Sequence, residues 1–232
     1  MNKRGSEVKG LSAKTIREHH NLISGVFKEA LEDEEVNINK NPASKVQLSK
    51  AEKPNVVYYQ HDDLEKIVRV MKTQPLKWQT FFEIAITTGC RRGEILGLKL
   101  ENINLTSGVC HITSTLLVDE GVGVYESTPK TENSDRYLTL PQQVIDMINA
   151  LIAENEAQKA MVGEYREDNS YIFRQADGKP MHPDSATDYF KKLSKKEQKN
   201  DPSFPKINPH GYVGLVESPV VLRKFLTCFN YP

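Results

Sequence analysis

Arg91, Arg92 and Glu94 fall in one short stretch, Thr87-Thr88-Gly89-Cys90-Arg91-Arg92-Gly93-Glu94-Ile95-Leu96-Gly97-Leu98. A guanidinium held at a turn can grip an anion, a phosphate above all, through its paired N–H donors. Free backbone N–H groups at a helix start would add to that grip. The chemistry requires a backbone pinned on both sides. Upstream, Trp78, Phe81, Phe82, Ala85 and Ile86 recur at helical spacing and stop at Gly89, a natural left-handed cap. Downstream, a second helix opens with Glu94 in its first turn, where an acid suits the helix dipole, and with Ile95, Leu96 and Leu98 to bury. Arg91 then projects from a helix start between two buried helices. On these residues alone the bland alternative, an exposed ion cluster of little energetic weight, stays open.

The bulk composition sets the frame around that turn. With 232 residues the chain has room for one large domain or two small ones, and 38% hydrophobic residues suffice for a core. Lys+Arg and Asp+Glu both number 31, so any anion site comes from local arrangement and not from overall basicity. Cys90, Cys110 and Cys228 are far apart, odd in number and without metal-ligand spacing. This usage fits reduced thiols in the cytoplasm and calls for no metal and no cofactor. No signal peptide or membrane-spanning run is expected.

The flanking elements follow from periodicity. After a polar lead-in, Ser12 is placed to cap a helix with an apolar stripe of Ile16, Leu22, Ile23, Val26, Phe27, Ala30 and Leu31. One such helix cannot bury its stripe alone. His19 and His20 are expected at or near its surface. Residues 45–55 are rich in Lys, Ser and Pro and read as a linker. A helix bearing Leu64, Ile67, Val68 and Met71 precedes the Trp78 helix. Val109 to Leu117, Gly121 to Ser127 and Arg136 to Leu140 predict strands of a small antiparallel sheet. Pro141 opens a helix with Val144, Ile145, Ile148, Leu151 and Ile152 on one stripe. Tyr171-Ile172-Phe173 predicts a short strand before the Asp177-Gly178 turn, and Asp184 or Ser185 is expected to cap a last helix with Ala186, Tyr189, Phe190 and Leu193. Lys191 to Lys199 reads as a solvated basic face that could also lie along DNA.

Three places then line up in order: the Arg91 turn with Leu98-Lys99-Leu100-Glu101-Asn102-Ile103-Asn104-Leu105; Thr128-Pro129-Lys130-Thr131 through Asp135-Arg136 into Leu138-Thr139-Leu140-Pro141; and Ile207-Asn208-Pro209-His210-Gly211. Together they resemble the catalytic domain of the tyrosine recombinases, the phage-type integrases. Leu11 to Ile16 and Asn41-Pro42-Ala43 resemble the end of that family's helical core-binding domain. The resemblance implies a mainly helical α+β fold with a small antiparallel sheet, a partial core-binding domain over residues 1–46, a linker over 47–58 and an incomplete catalytic domain over 59–212. It implies metal-free integration and excision of DNA through a 3′-phosphotyrosine intermediate. Arg91 matches the first of two arginines that clamp the non-bridging oxygens, Lys130 the lysine that protonates the departing 5′ oxygen, and His210 a phosphate-contacting acid/base group. Glu94 would hold the turn. Lys14, Thr15 and Arg92 would touch the DNA. The partners implied are double-stranded DNA and other recombinase subunits, with neither a membrane nor a small-molecule substrate. His61, His111 and His182 match no catalytic position.

The match breaks after His210. Val213 stands where the second arginine belongs. Tyr231 comes too early for the nucleophile, so no nucleophile is assigned. Residues 213–232 carry neither the family pattern nor an amphipathic period. A frameshift would explain this, because a Tyr-Val codon pair read one base earlier can encode Leu-Arg. The expectation is a recombinase truncated at both ends and inactive as this polypeptide. The competing expectations are a non-catalytic DNA-binding remnant that interferes with a full-length relative, and an interaction domain with no nucleic-acid role.

Overall fold

A computed structural model describes residues 10–49, 59–127, 135–162, 167 and 169–208. The chain divides into two compact units, Met1–Val57 and Tyr58–Pro232. In the first, helix α1 spans Ala13–Glu32, and Ser12 Oγ accepts the Thr15 amide at 3.1 Å, the capping bond expected of serine. None of its residues is buried, and Leu22 and Val26 are 70% and 60% exposed. A 3₁₀ turn over Pro42–Lys45 follows, in which His20 Nε2 bonds the Ala43 carbonyl at 2.9 Å. Asn41 ties this turn back to the Ser24 carbonyl at 2.9 Å.

The second unit holds the core. Helix α2 (His61–Met71) buries Leu64, Ile67, Val68 and Met71, the face its spacing predicts. Helix α3 (Leu76–Thr88) is buried over most of its length and ends at Gly89, whose φ of 65° is one that side chains beyond Cα resist. Helix α4 (Arg92–Leu96) is only five residues long, so Leu98 lies past its end although it is buried. Helix α5 (Gln142–Val162) buries Val144, Ile145, Ile148 and Leu151. Helix α6 (Asp184–Asn200) lays Phe190 against Phe81, and Tyr189 stacks on Trp78 at 4.4 Å between centroids.

The small antiparallel sheet is made of two separate two-stranded pairs. Val109 to Leu117 is two strands and not one: β1 (Val109–Ile112) and β2 (Thr115–Asp119). Between them Thr113 turns its hydroxyl to Asn102 at 3.0 Å and Ser114 is buried, so the chain changes partner. β2 pairs antiparallel with β3 (Gly123–Ser127), and β1 pairs antiparallel with β4 (Arg136–Thr139), with Ile112 opposite Arg136. Tyr171 to Phe173 forms no strand. It makes an isolated bridge to Lys99, because Asn169 Oδ1 captures the Tyr171 amide and Arg174 bridges to Pro180. Ile172 and Phe173 are buried nonetheless. Asp184 and Ser185 do not cap α6 either, since the helix begins at Asp184 and Pro183 holds the cap position.

Candidate active site

Arg91 is fixed by the way α3 ends and α4 begins. The left-handed Gly89 reverses the chain, the Thr88 hydroxyl accepts the Cys90 amide at 3.1 Å, and Arg91 occupies the N-cap position of α4 in extended conformation. Glu94, one turn on, accepts the Arg91 amide at 2.8 Å with Oε2 and Arg91 Nη1 at 2.9 Å with Oε1. The Arg91 N–H expected to be free for an anion is therefore occupied by Glu94. The Arg91 side chain remains 71% exposed while that of Glu94 is 5% exposed. One carboxylate anchors the arginine by its main chain and its head together.

Behind the turn the packing is tight. A Cβ added at Gly93 would lie 2.5 Å from Thr115 Oγ1 and 2.6 Å from the Leu116 carbonyl, so only glycine lets α4 meet β2 this closely. Cys90 is buried, and burial pushes its thiol up; Cys110 on β1 is pushed to about 12 by the same cause. Neither thiol is a thiolate at neutral pH, so neither is a nucleophile.

Arg92 points elsewhere. Its guanidinium pairs with Asp184 at 2.9 Å and bonds the Thr187 hydroxyl, both at the start of α6. The same Thr187 lines a groove of about 390 Å³ together with Lys191, Lys195, Lys206 and Asn208. Lys14 is exposed and weakly paired with Glu18 at 3.8 Å, and the Thr15 hydroxyl shares a hydrogen bond with Ser12 Oγ. Lys130, His210 and Val213 lie outside the described residues, as does Tyr231. The segment before His210 is described as far as Asn208. Tyr59 OH donates to the Lys206 carbonyl at 2.6 Å and accepts the Asn208 amide at 3.0 Å, and Ser194 Oγ accepts the Ile207 amide at 2.8 Å.

Arg136 is the residue that sequence reasoning missed. From the start of β4 its Nη2 donates to Glu94 Oε2 at 2.8 Å, its Nη1 approaches Oε1 at 3.4 Å, and Nη2 also reaches Cys90 Sγ at 3.3 Å. Its place six residues after Lys130 was visible, but nothing local to it signals a partner on α4. Glu94 thus sits between two arginines. Burial alone would raise its pKa; the Arg136 hydrogen bond, then the Arg91 amide and guanidinium, hold it below the usual carboxylate value. His111 bonds Asp135 and stacks on Tyr137 at 4.1 Å, and His182 Nδ1 accepts the Asp184 amide at 3.1 Å. Among the described residues no group of three or more His, Cys, Asp or Glu is placed to hold a metal ion. No described helix is long and apolar enough to cross a membrane.

The sequence model of the phage integrase family matches residues 58–212, which carry the arginine turn, both strand pairs and the Tyr59 contact. The chain belongs to the phage integrase family. It is 29% identical over 160 residues to the prophage ps2 probable integrase of Lactococcus lactis, covering 64% of this chain and 41% of that relative. It is 27% identical over 210 residues to the transposase from transposon Tn916 of Enterococcus faecalis, covering 87% and 50%. The chain spans about half the length of these relatives or less. The Tn1549 transposon integrase, solved in complex with transposon right-end DNA, superposes with a TM-score of 0.72 at 22% identity over 96% of this chain and 76% of that one. The lambda integrase bound to DNA gives 0.53 at 16% identity over 88% and 63%. These likenesses establish the mainly helical α+β fold with its small antiparallel sheet, the architecture of the tyrosine recombinase catalytic domain.

Proposed function

We propose that this integrase-family chain binds double-stranded DNA in the cytoplasm and is built for site-specific integration and excision through a 3′-phosphotyrosine intermediate. The observation that carries this is Arg91: its backbone and guanidinium are held by one buried carboxylate, yet most of its side chain faces solvent. A preorganised cation of this kind stabilises charge building on non-bridging phosphate oxygens at no reorganisation cost. In this reading Lys130 protonates the departing 5′ oxygen and His210 serves as a phosphate contact and acid/base group. Glu94 positions and does not react. Lys14 and Thr15 meet the DNA from the first unit, a partial core-binding domain, and residues 47–58 link it to the catalytic unit. Arg92 joins them only by yielding its pair with Asp184. Other recombinase subunits are the remaining partners.

A second reading rests on Val213, which occupies the position of the second clamping arginine. Loss of one positioned donor of this type lowers the rate by about 10²–10³, and with no tyrosine assigned as nucleophile the covalent route is missing, so on this reading the polypeptide binds DNA and does not cleave it.

Labelled duplex DNA titrated at several salt concentrations tests binding. The expected result is an affinity that falls steeply with salt and drops with Arg91→Ala. Salt-insensitive or undetectable binding would overturn the proposal. A nicked suicide duplex separates the two readings, since covalent protein–DNA product supports the first and its absence alongside intact binding supports the second.

A further inference from the structure

Both oxygens of Glu94 are approached by both arginines. Oε1 receives Arg91 Nη1 at 2.9 Å and Arg136 Nη1 at 3.4 Å; Oε2 receives the Arg91 amide and Arg136 Nη2, each at 2.8 Å. Among the described residues, these two guanidiniums and one carboxylate sum to one net positive charge. Cys90 adds nothing to this balance, because its buried thiol stays protonated. Were Arg136 absent, the carboxylate would have Arg91 as its only cation of the two, and that pair would be neutral. A neutral pair attracts a phosphate far less than a cation does. The exposures fit a division of labour, with the Arg136 side chain 29% exposed against 71% for Arg91.

We propose that Arg136 is a positioning and charge-balancing residue of the anion site: it takes up the charge of Glu94, so that Arg91 meets a phosphodiester as a full cation. The inference rests on the reading of Arg91 as a phosphate-binding residue. It goes beyond an ordinary ion pair because it assigns the benefit to a third group. An ion pair that only stabilises the fold has no reason to change how Arg91 binds.

Charge accounting supplies the test, with the full chain and a labelled DNA duplex as probe. Arg136→Gln makes the cluster neutral and is expected to weaken binding about tenfold, close to the effect of Arg91→Ala. Adding Glu94→Gln to Arg136→Gln restores one net positive charge and is expected to recover most of that loss. A purely structural role predicts the opposite, because the double variant has lost more hydrogen bonds than either single one. Failure of the double variant to recover affinity, with its thermal midpoint no lower than that of Arg136→Gln, would overturn the inference. Arg136→Lys guards against a variant that fails to fold: it keeps the charge, and binding reduced as far as in the glutamine variant would count against charge balance. Should Arg91→Ala leave binding unchanged, the proposed function fails. The charge balance is then read separately by NMR titration of the Glu94 carboxyl. Arg136→Gln must move that titration to higher pH, and an unmoved titration would sink the inference.

Discussion

Arg136 on β4 donates to Glu94 on α4 at 2.8 Å, across 42 residues of chain, and the carboxylate is 5% exposed. Its pKa lies below the ordinary value of 4.5: burial raises it, but the Arg136 bond and the two Arg91 bonds outweigh that. A depressed folded-state pKa gives stability that is present above the unfolded value and is lost as pH falls through the folded one. The chain is therefore expected to lose stability in acid below about pH 4.5, and Glu94→Gln to flatten that limb in chemical denaturation at several pH values. At neutral pH Glu94→Ala leaves two guanidiniums facing each other. A cost of about 1–3 kcal/mol, that of removing the shared acceptor of the Arg91 amide and two partly exposed guanidiniums, is expected from the same curves.

Glu83 on α3 behaves in the reverse sense. It is 3% exposed, and its Oε2 has no hydrogen-bond partner among the described residues. Burial lifts its pKa to about 7, against a smaller lowering effect of Lys72. A raised folded pKa contributes stability fully below the unfolded value and loses it as pH rises through the folded one. Stability is expected to fall between about pH 4.5 and 7. At about 1.4 kcal/mol per unit the shift corresponds to roughly 3 kcal/mol. Glu83→Gln should remove this dependence and be the more stable form at pH 8. A midpoint for Glu83→Gln that tracks pH as the parent does would refute the assignment.

What could be read from the sequence was local. The Gly89 cap, the buried faces of α2 and α5 and the Ser12 cap each follow from a residue and its near neighbours, and each stands in the structure. What could not be read depends on distant partners. Arg136 opposes Ile112 only once β1 and β4 pair in one register, and nothing near residue 136 announces Glu94. Asp184 looked like a helix cap because Asp often is one, yet Arg92 from α4 claims its carboxylate. The break at Thr113 was hidden in a run whose strand propensity continues unbroken, and a side-chain bond from Asn102 decides it.

Tyr59 reaches the segment before His210 across almost the whole second unit, 147 residues to Lys206 and 149 to Asn208. Tyr59→Phe keeps the ring and removes both bonds. The expected loss is about 1–2 kcal/mol, together with faster amide exchange at Asn208 while Ile207, held by Ser194, stays protected. Equal acceleration at both amides would show that the hydroxyl is not the local anchor. Trp78, the single tryptophan, stacks on Tyr189 in the core and reports whether the global fold has changed.

Gly93 offers the sharpest separation between folding and anion binding. Thr115 Oγ1 and the Leu116 carbonyl stand 2.5 and 2.6 Å from where its Cβ would be, and the second of these is backbone that cannot swing aside. In Gly93→Ala, α4 must lift from β2 or β2 must move. Overpacking of this kind costs about 1–3 kcal/mol, so the variant is expected to fold with a lowered midpoint. Lifting α4 shifts Glu94 relative to Arg136, which is anchored on β4, and loosens the grip on Arg91. DNA affinity is expected to fall further than in a core control such as Ile148→Val in α5, where a small truncation costs about 0.5–1.5 kcal/mol. If the two variants, compared at matched fractions folded, bind DNA equally well, then the close contact of α4 with β2 serves the fold alone and the arginine turn tolerates displacement.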